Sequence, residues 1–163
     1  MKTFAAAPAT VSKTELYQTL LAQAKALIEG ETDLIANLAN VSALIWQSLP
    51  GLNWAGFYLW KNGELVLGPF QGKPACVRIA YGKGVCGTAV ARKATVIVED
   101  VDQFPGHIVC DSASRSEIVV PLMRGGEIMG VLDIDSPQLA RFDADDQSGL
   151  ERLAQLVADS SRP

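Results

Sequence analysis

The sequence lacks the marks of several protein classes. No apolar run in its 163 residues approaches the roughly 20 residues of a membrane-spanning helix. It also has no excess of basic residues, because 14 Lys and Arg stand against 18 Asp and Glu, for a net charge of −4. This balance argues against a nucleic-acid-binding protein and against a polybasic membrane-binding protein. With 48% apolar and 20% charged residues, the chain suits one globular domain with an ample core.

Cysteine and histidine are scarce, with three and one respectively. An odd cysteine count beside a large core does not indicate a structural disulfide framework. Because the first residues do not form a convincing signal peptide, we expect a cytoplasmic protein. Cys76, Cys86, His107 and Cys110 form a conceivable zinc set, but their spacing does not supply the paired ligands typical of structural zinc sites. We expect no metal.

The first residues resemble a weak signal peptide, with one lysine and then small residues. The apolar stretch is too short, and Pro8 interrupts it. We therefore expect a flexible N-terminal tail over residues 1–11 and a single domain over residues 12–163.

Hydrophobic periodicity and turn residues predict four helices and six strands. The helices begin near Ser12, Asp33, Gly84 and Asp143, and the first two end at Gly30 and at Pro50. Strands are predicted over residues 54–60, 65–67, 77–81, 95–98, 118–122 and 128–134, with hairpin turns at 62–63 and 124–127. Two hairpins imply an antiparallel sheet in an α+β fold, with helices on one face. The irregular segment 70–115, which carries all three cysteines, would cover the other face.

A glycine-rich segment, Gly82-Lys-Gly84-Val-Cys86-Gly87, fits the G-x-G-x-x-G pattern of dinucleotide-binding folds. That fold needs a parallel βαβ unit, whereas hairpins join the main strands here. We therefore expect a tight loop that lets backbone approach a ligand and that starts a helix.

Several polar residues allow both a structural and a chemical interpretation. Asp133 and Asp135 flank Ile134 and so point to the same face of a strand. They are either a strand end in solvent or a site for an ammonium group or a proton donor, since two adjacent carboxylates cannot both ionise cheaply. His107 is more typical of a surface residue than of a general base. Cys110 lies in a polar loop.

The other two cysteines differ in setting. Cys86 lies at a helix start, where backbone N–H groups favour a thiolate. Cys76 follows Pro74 and Ala75, and we expect it to be mobile.

These segments together closely resemble the free methionine-(R)-sulfoxide reductases, which are built on a GAF domain. The resemblance runs from about Leu16 to Val157 and rests on the cysteine set and on a series of motifs: Asn53-Trp54-Ala55-Gly56-Phe57-Tyr58, Gly68-Pro69-Phe70-Gln71-Gly72, Pro74-Ala75-Cys76, Gly82 to Gly87, Cys110-Asp111, residues 114–121 and Leu132-Asp133-Ile134-Asp135-Ser136. It implies a GAF fold, that is, a six-stranded antiparallel sheet with helices on one side and a ligand pocket on the other.

The resemblance also implies a chemistry. Cys110 would be the nucleophile, Cys76 the resolving thiol and Cys86 a third thiol near the pocket. Glu117, Asp133 and Asp135 would bind substrate, and Trp54 and Tyr58 would be pocket aromatics. The cycle would need no metal or organic cofactor, and thioredoxin would regenerate the thiols of what the family suggests is a homodimer.

Two points stay open in the sequence. Cys76 and Cys86 are both able to resolve a sulfenic acid at Cys110, although we expect the mobile Cys76 to form the disulfide. A GAF domain that only senses a small molecule would share the fold without needing the three cysteines.

Overall fold

Four α-helices and six strands form the described part of this computed structural model, which covers residues 2–4 and 11–163. The elements are α1 (Lys13–Ile28), α2 (Leu34–Ser48), β1 (Trp54–Lys61), β2 (Glu64–Gly72), β3 (Arg78–Ala80), α3 (Gly84–Arg92), β4 (Val96–Val98), β5 (Ser116–Arg124), β6 (Glu127–Ser136) and α4 (Ala144–Ser160). Most of the expected tail over residues 1–11 lies outside the described residues, so its flexibility stays a prediction. No helix within the described ranges is long and apolar enough to cross a membrane.

The strands form one antiparallel sheet in the order β3-β2-β1-β6-β5-β4. Two hairpins, β1–β2 and β5–β6, supply four of the strands. Asn62 and Gly63 both have positive φ, as a two-residue turn that matches the twist of the strands requires. Because the β1–β6 pairing joins the two hairpins, the chain's motifs from residues 54–58 and 131–136 lie side by side at the centre of the sheet.

Each face of the sheet packs against a different layer. Alternate side chains such as Phe57, Ile118 and Leu132 join α1, α2 and α4 in the larger core. The opposite face carries Trp54, Tyr58, Val119 and Val131 and is covered by α3 and the connecting segments. Helices α1, α2 and α4 thus cover one face, which confirms the predicted α+β architecture. The second face is covered by the segment that carries the three cysteines, also as predicted.

Strand β2 is longer than its sequence indicates. We expected residues 65–67, but β2 continues to Gly72 through Gly68 and Pro69, two residues that disfavour strands. The β1–β2 register shifts between Gly56 and Tyr58, so Gly68 and Pro69 lie in a bulge where a missing ladder hydrogen bond is tolerated. Gly56 is required there, because a Cβ atom would collide with Phe70.

A buried ion network joins the first and last helices. Asp146 in α4 is almost fully buried, and it accepts hydrogen bonds from the Tyr17 hydroxyl at 2.7 Å and from Lys13 Nζ at 2.5 Å. Asp143 caps α4 in a reciprocal capping box with Asp146. This network lies on the helical side of the sheet, away from the cysteines.

Candidate active site

Three carboxyl groups converge on the face of the sheet opposite the large helices. In the strand pairing, Asp135 of β6 lies directly between Trp54 of β1 and Glu117 of β5. Asp133 lies one row away on the same face, opposite Gly56, which has no side chain to screen it. Since directly paired residues share a face, the sheet register alone places these groups together. Asp133 is only 6% exposed, so the interpretation of a strand end in solvent is wrong for it.

Burial and mutual repulsion raise the pKa of all three acids. Desolvation is the main cause for Glu117, Asp133 and Asp135, and each also feels the negative charge of another acid of the group. One oxygen of Glu117 and one of Asp133 lie within 4.8 Å of each other, close enough for the protonation of one acid to affect the other. Asp133 lines the cavity, and one of its oxygens, Oδ1, is buried without a hydrogen-bond partner. The site therefore favours the protonated form of these acids more than water does.

Cys86 is buried beside these acids rather than activated. It is the third residue of α3 and is 3% exposed. Desolvation, followed by the charges of Asp133 and Glu117, raises the pKa of its thiol well above the usual range. The expectation that the helix start favours a thiolate here is wrong, because burial next to acids outweighs the backbone dipoles.

The other two cysteines are joined. Cys76 and Cys110 form a disulfide with a Cα–Cα distance of 5.7 Å, although 34 residues separate them in sequence. This is the link that we expected between them. Cys86 stays a free thiol. Cys110 is exposed and Cys76 half-buried, and Cys110 reaches the mouth of the cavity above the acids.

Two aromatic residues of β1 hold the segment that carries Cys76. Trp54 Nε1 donates to the carbonyl of Lys73 at 3.1 Å, and the Tyr58 hydroxyl donates to the carbonyl of Cys76 at 2.9 Å. Trp54 also stacks between Tyr58 and Phe70. In this disulfide form the backbone at Cys76 is therefore held by β1, and the mobility expected of the reduced Cys76 stays a prediction. Both rings line the cavity, as pocket aromatics would.

A separate set of polar contacts holds the segment that carries Cys110. The Asn53 side-chain amide donates to Asp111 Oδ2 at 3.1 Å and to Ser114 Oγ at 2.9 Å. The pKa of Asp111 is lowered by the Ala113 backbone N–H and the Asn53 amide. We did not expect these roles for Asn53 and Ser114. Both residues belong to the motifs that carry the family resemblance, which was the only signal for them in the sequence. Their contact with each other is visible only in the fold.

His107 lies in the cavity wall and not on the open surface. Its side chain is 12% exposed, and Nε2 lies 3.5 Å from Glu117 Oε2. Burial lowers the pKa of His107, so the ring is neutral at neutral pH. The interpretation as a surface histidine is wrong, because the loop over residues 99–114 folds back over the sheet.

The glycine-rich segment forms the turn between β3 and α3. The N–H of Gly82 donates to the carbonyl of Gly87 at 3.0 Å, and a Cβ on Gly87 would come within 2.5 Å of the carbonyl of Ala80. Gly84 has a positive φ and lies under the side chain of Ile108. The segment is thus the tight, helix-starting loop that we expected.

The cavity is lined on its floor by acids, on one wall by aromatic rings and at its mouth by the disulfide. Its lining comprises Trp54, Tyr58, Pro74, Ala75, Ile79, Gly84, Val85, Cys86, His107, Ile108, Cys110, Asp111, Ser114, Glu117, Asp133 and Asp135. Cys86 Sγ and one oxygen each of Glu117 and Asp133 lie within 4.8 Å of one another, a spacing that suits a cation. Of the four residues considered for zinc, Cys76 and Cys110 are engaged in the disulfide.

Comparison with known proteins assigns the chain to a family. A model of the GAF domain matches residues 12–160. The chain is 56% identical to the free methionine-R-sulfoxide reductase of Escherichia coli over 147 residues, which is 90% of this chain and 89% of that one. It is 46% identical to the free methionine-R-sulfoxide reductase of Saccharomyces cerevisiae over 155 residues, or 90% of this chain and 86% of that one.

A solved structure shows the same arrangement of the chain. It is the free methionine-R-sulfoxide reductase of Neisseria meningitidis in complex with its substrate, which superimposes with a TM-score of 0.91 at 46% identity over 97% of this chain and 95% of that one. The fold expected from the sequence is confirmed. On these identities, the chain belongs to the GAF-domain family of free methionine-R-sulfoxide reductases.

Proposed function

We propose that this chain reduces free L-methionine-(R)-sulfoxide to L-methionine, with Cys110 as the nucleophile and Cys76 as the resolving thiol. The observation that carries the proposal is a disulfide between these two cysteines at the mouth of a cavity floored by protonatable acids. Both halves of a redox cycle are thereby present, since the acids can bind and protonate a sulfoxide and the thiols can take its oxygen.

The first step transfers oxygen from the substrate to the protein. The Cys110 thiolate attacks the sulfoxide sulfur while the Glu117–Asp133 pair donates a proton to the sulfoxide oxygen. Because desolvation and repulsion keep a proton on this pair, a donor is available at neutral pH. Thiol and sulfoxide become a sulfenic acid and methionine, so atoms and electrons balance.

The second step closes the disulfide. The Cys76 thiol condenses with the sulfenic acid of Cys110 and releases one water. The burial of Cys86 supports Cys76 as the resolving thiol. Because burial raises the pKa of the Cys86 thiol, little Cys86 thiolate is present to attack the sulfenic acid in its place. A dithiol protein of the thioredoxin type then returns two electrons and two protons.

Substrate recognition uses the remaining polar and aromatic groups. We assign the α-ammonium group to Asp135, which lies at the edge of the acid cluster and is less buried than Asp133. A positive charge there would offset the repulsion that raises the Asp135 pKa. Trp54 and Tyr58 would form the apolar wall for the S-methyl group. A peptide-bound methionine sulfoxide has no such ammonium group, which favours the free amino acid.

The cellular setting follows from the cycle. A disulfide that must be reduced at every turnover needs a reducing compartment, so we place the protein in the cytoplasm, where methionine oxidised under oxidative stress would be its substrate. We also propose a homodimer, as the family resemblance suggests, which light scattering of the purified protein tests.

The test supplies dithiothreitol as reductant and measures methionine by chromatography. We expect turnover of the free (R) epimer, little turnover of the (S) epimer and slower turnover of a peptide-bound sulfoxide. Cys110→Ser should abolish turnover. In separate runs, Cys76→Ser should release one methionine per chain when no reductant is present, and it should recycle poorly when thioredoxin replaces dithiothreitol. Cys86→Ser is the matched control and should keep the disulfide.

The outcomes separate the assignments. Equal rates on both epimers would contradict the geometry of the pocket. Substantial activity of Cys110→Ser would move the nucleophile to Cys86. A disulfide between Cys86 and Cys110, found by peptide mapping after one turnover, would assign resolution to Cys86.

A further inference from the structure

Exposed apolar side chains flank both halves of the disulfide. Val77 follows Cys76 and is 61% exposed, and Val109 precedes Cys110 and is 67% exposed. The two cysteine Cα atoms are 5.7 Å apart. The Cα atoms of Val77 and Val109 therefore lie at most about 13 Å apart, since neighbouring Cα atoms are separated by about 3.8 Å. Ile108, at 36% exposure, lies beside Val109. We call Val77, Ile108 and Val109 the apolar collar.

Two members of the collar, Val77 and Ile108, have contacts that fix their position. The carbonyl of Val77 accepts a hydrogen bond from the Leu67 N–H at 2.9 Å, so the side chain projects from a fixed backbone. Ile108 is seated on Gly84, where a Cβ atom would come within 2.9 Å of it. Several exposed apolar groups close to a reactive group indicate an interaction surface.

A permanent partner does not fit this position. Ile108 and Cys110 line the mouth of the cavity, so a second copy of the chain seated there would shut the substrate out. The exposed area of the collar is on the order of a few hundred Å², against about 800 Å² per partner in a stable complex. Small interfaces of this kind are typical of transient redox complexes.

We propose that the apolar collar is the docking surface for the dithiol protein that reduces the Cys76–Cys110 disulfide. The proposal rests on the proposed function in that it takes this disulfide to be reduced in each cycle. One thiolate of the partner attacks a sulfur of the disulfide, forming a mixed disulfide and releasing the other cysteine. The partner's second thiol then attacks the mixed disulfide. The partner loses two electrons and two protons, and Cys76 and Cys110 gain them.

The test measures reduction of the purified, oxidised protein without any methionine sulfoxide. The rate constant for thiol release is measured with reduced thioredoxin and, separately, with dithiothreitol, for the wild type and for Val77→Asp and Val109→Asp. A buried charge opposes docking, so each substitution should slow reduction by thioredoxin at least about tenfold and reduction by dithiothreitol less than about twofold.

Two controls make the result specific. Ile35→Asp places the same charge on a 50% exposed apolar residue of α2, a helix of the opposite face, and should leave both rates unchanged. Val109→Leu keeps the apolar surface and should retain the thioredoxin rate. Unchanged thioredoxin rates in both collar variants would overturn the proposal. An equal loss with dithiothreitol, or an equal loss in Ile35→Asp, would overturn it as well.

The two proposals fail in different ways. Since no sulfoxide is present, a wrong substrate assignment leaves this measurement intact. Conversely, if collar variants and wild type reduce equally fast while methionine sulfoxide is still turned over with dithiothreitol, the docking surface is wrong and the proposed function stands.

Discussion

Replacing Glu117 by Gln should stabilise the protein, and increasingly so as the pH rises. Glu117 is buried against Asp133 and Asp135, and its pKa is raised well above the ordinary value by desolvation first and by Asp135 second. In the unfolded chain the same carboxyl ionises near pH 4.3. Above that pH the folded state holds a proton that the unfolded state has lost, so raising the pH favours unfolding until the raised pKa is passed.

The magnitude follows from the number of protons retained. Each carboxyl that is protonated when folded and ionised when unfolded lowers the free energy of unfolding by about 1.4 kcal/mol per pH unit. Glu117→Gln keeps the shape of the side chain and removes one such carboxyl. The stability gained by the variant should therefore grow with pH above about 4.3, by up to about 1.4 kcal/mol per pH unit, until the raised pKa of Glu117 is passed. A neutral amide at this position also retains a donor for Asp133.

The assay is urea unfolding of the disulfide form at pH 5, 6, 7 and 8 at constant ionic strength. Taking the difference between variant and wild type at each pH reduces the contribution of His107, whose lowered pKa makes stability rise with pH below about 6.5. It likewise cancels that of Asp143, whose pKa of about 2 stabilises the fold fully above about pH 5. Glu127→Gln, at the exposed first residue of β6, is the matched control and should show no such trend. A flat difference between pH 5 and pH 7 would show that Glu117 is ionised in the folded protein and would refute the reasoning.

Three further variants test other parts of the structure. Asn53→Ala removes the two hydrogen bonds that hold the Cys110 segment, so dithiothreitol-supported kcat/KM should fall about tenfold, and the free energy of unfolding should fall by about 1–2 kcal/mol. An unchanged kcat/KM would mean that the segment holds its position without Asn53. Asp135→Asn should raise the KM for free methionine sulfoxide at least about tenfold with a smaller effect on kcat, and an unchanged KM would contradict its assignment to the ammonium group. Tyr17→Phe removes a donor to buried Asp146, so chemical denaturation should show a loss of about 1–2 kcal/mol while kcat stays the same.

The sequence predicts the architecture because its signals are local. The Asn62-Gly63 turn, the caps at Ser12 and Asp33 and the alternation of β6 each act within a few residues. The extension of β2 through Pro69 could not be read in this way. It depends on a bulge opposite another strand, and a strand-breaking residue is tolerated only once that pairing exists.

The candidate site is likewise predictable only where its signals are local in sequence. That Asp133 and Asp135 share a face follows from strand geometry, but their burial depends on what covers that face. The segment over residues 99–114 has no regular pattern, and its fold over the sheet is what buries His107 and brings Cys110 above the acids. For Cys86 the local signal is misleading. Its position at a helix start predicts a lowered thiol pKa, but burial beside carboxyl groups that are distant in sequence raises that pKa instead.

The three buried acids account both for the energetic cost of the cavity face of the sheet and for its proposed chemistry. Placing three acids on adjacent strands opposes folding at neutral pH, since each must be desolvated near another negative charge. The same burial and repulsion raise the pKa of the acids, which suits the proton-donor role that we propose for them. The helical face, with its apolar core and its ion network at Asp146, supplies stability without touching the cavity. Substitutions that neutralise the acids should therefore stabilise the fold and impair the reaction together, whereas substitutions on the helical face should move stability alone.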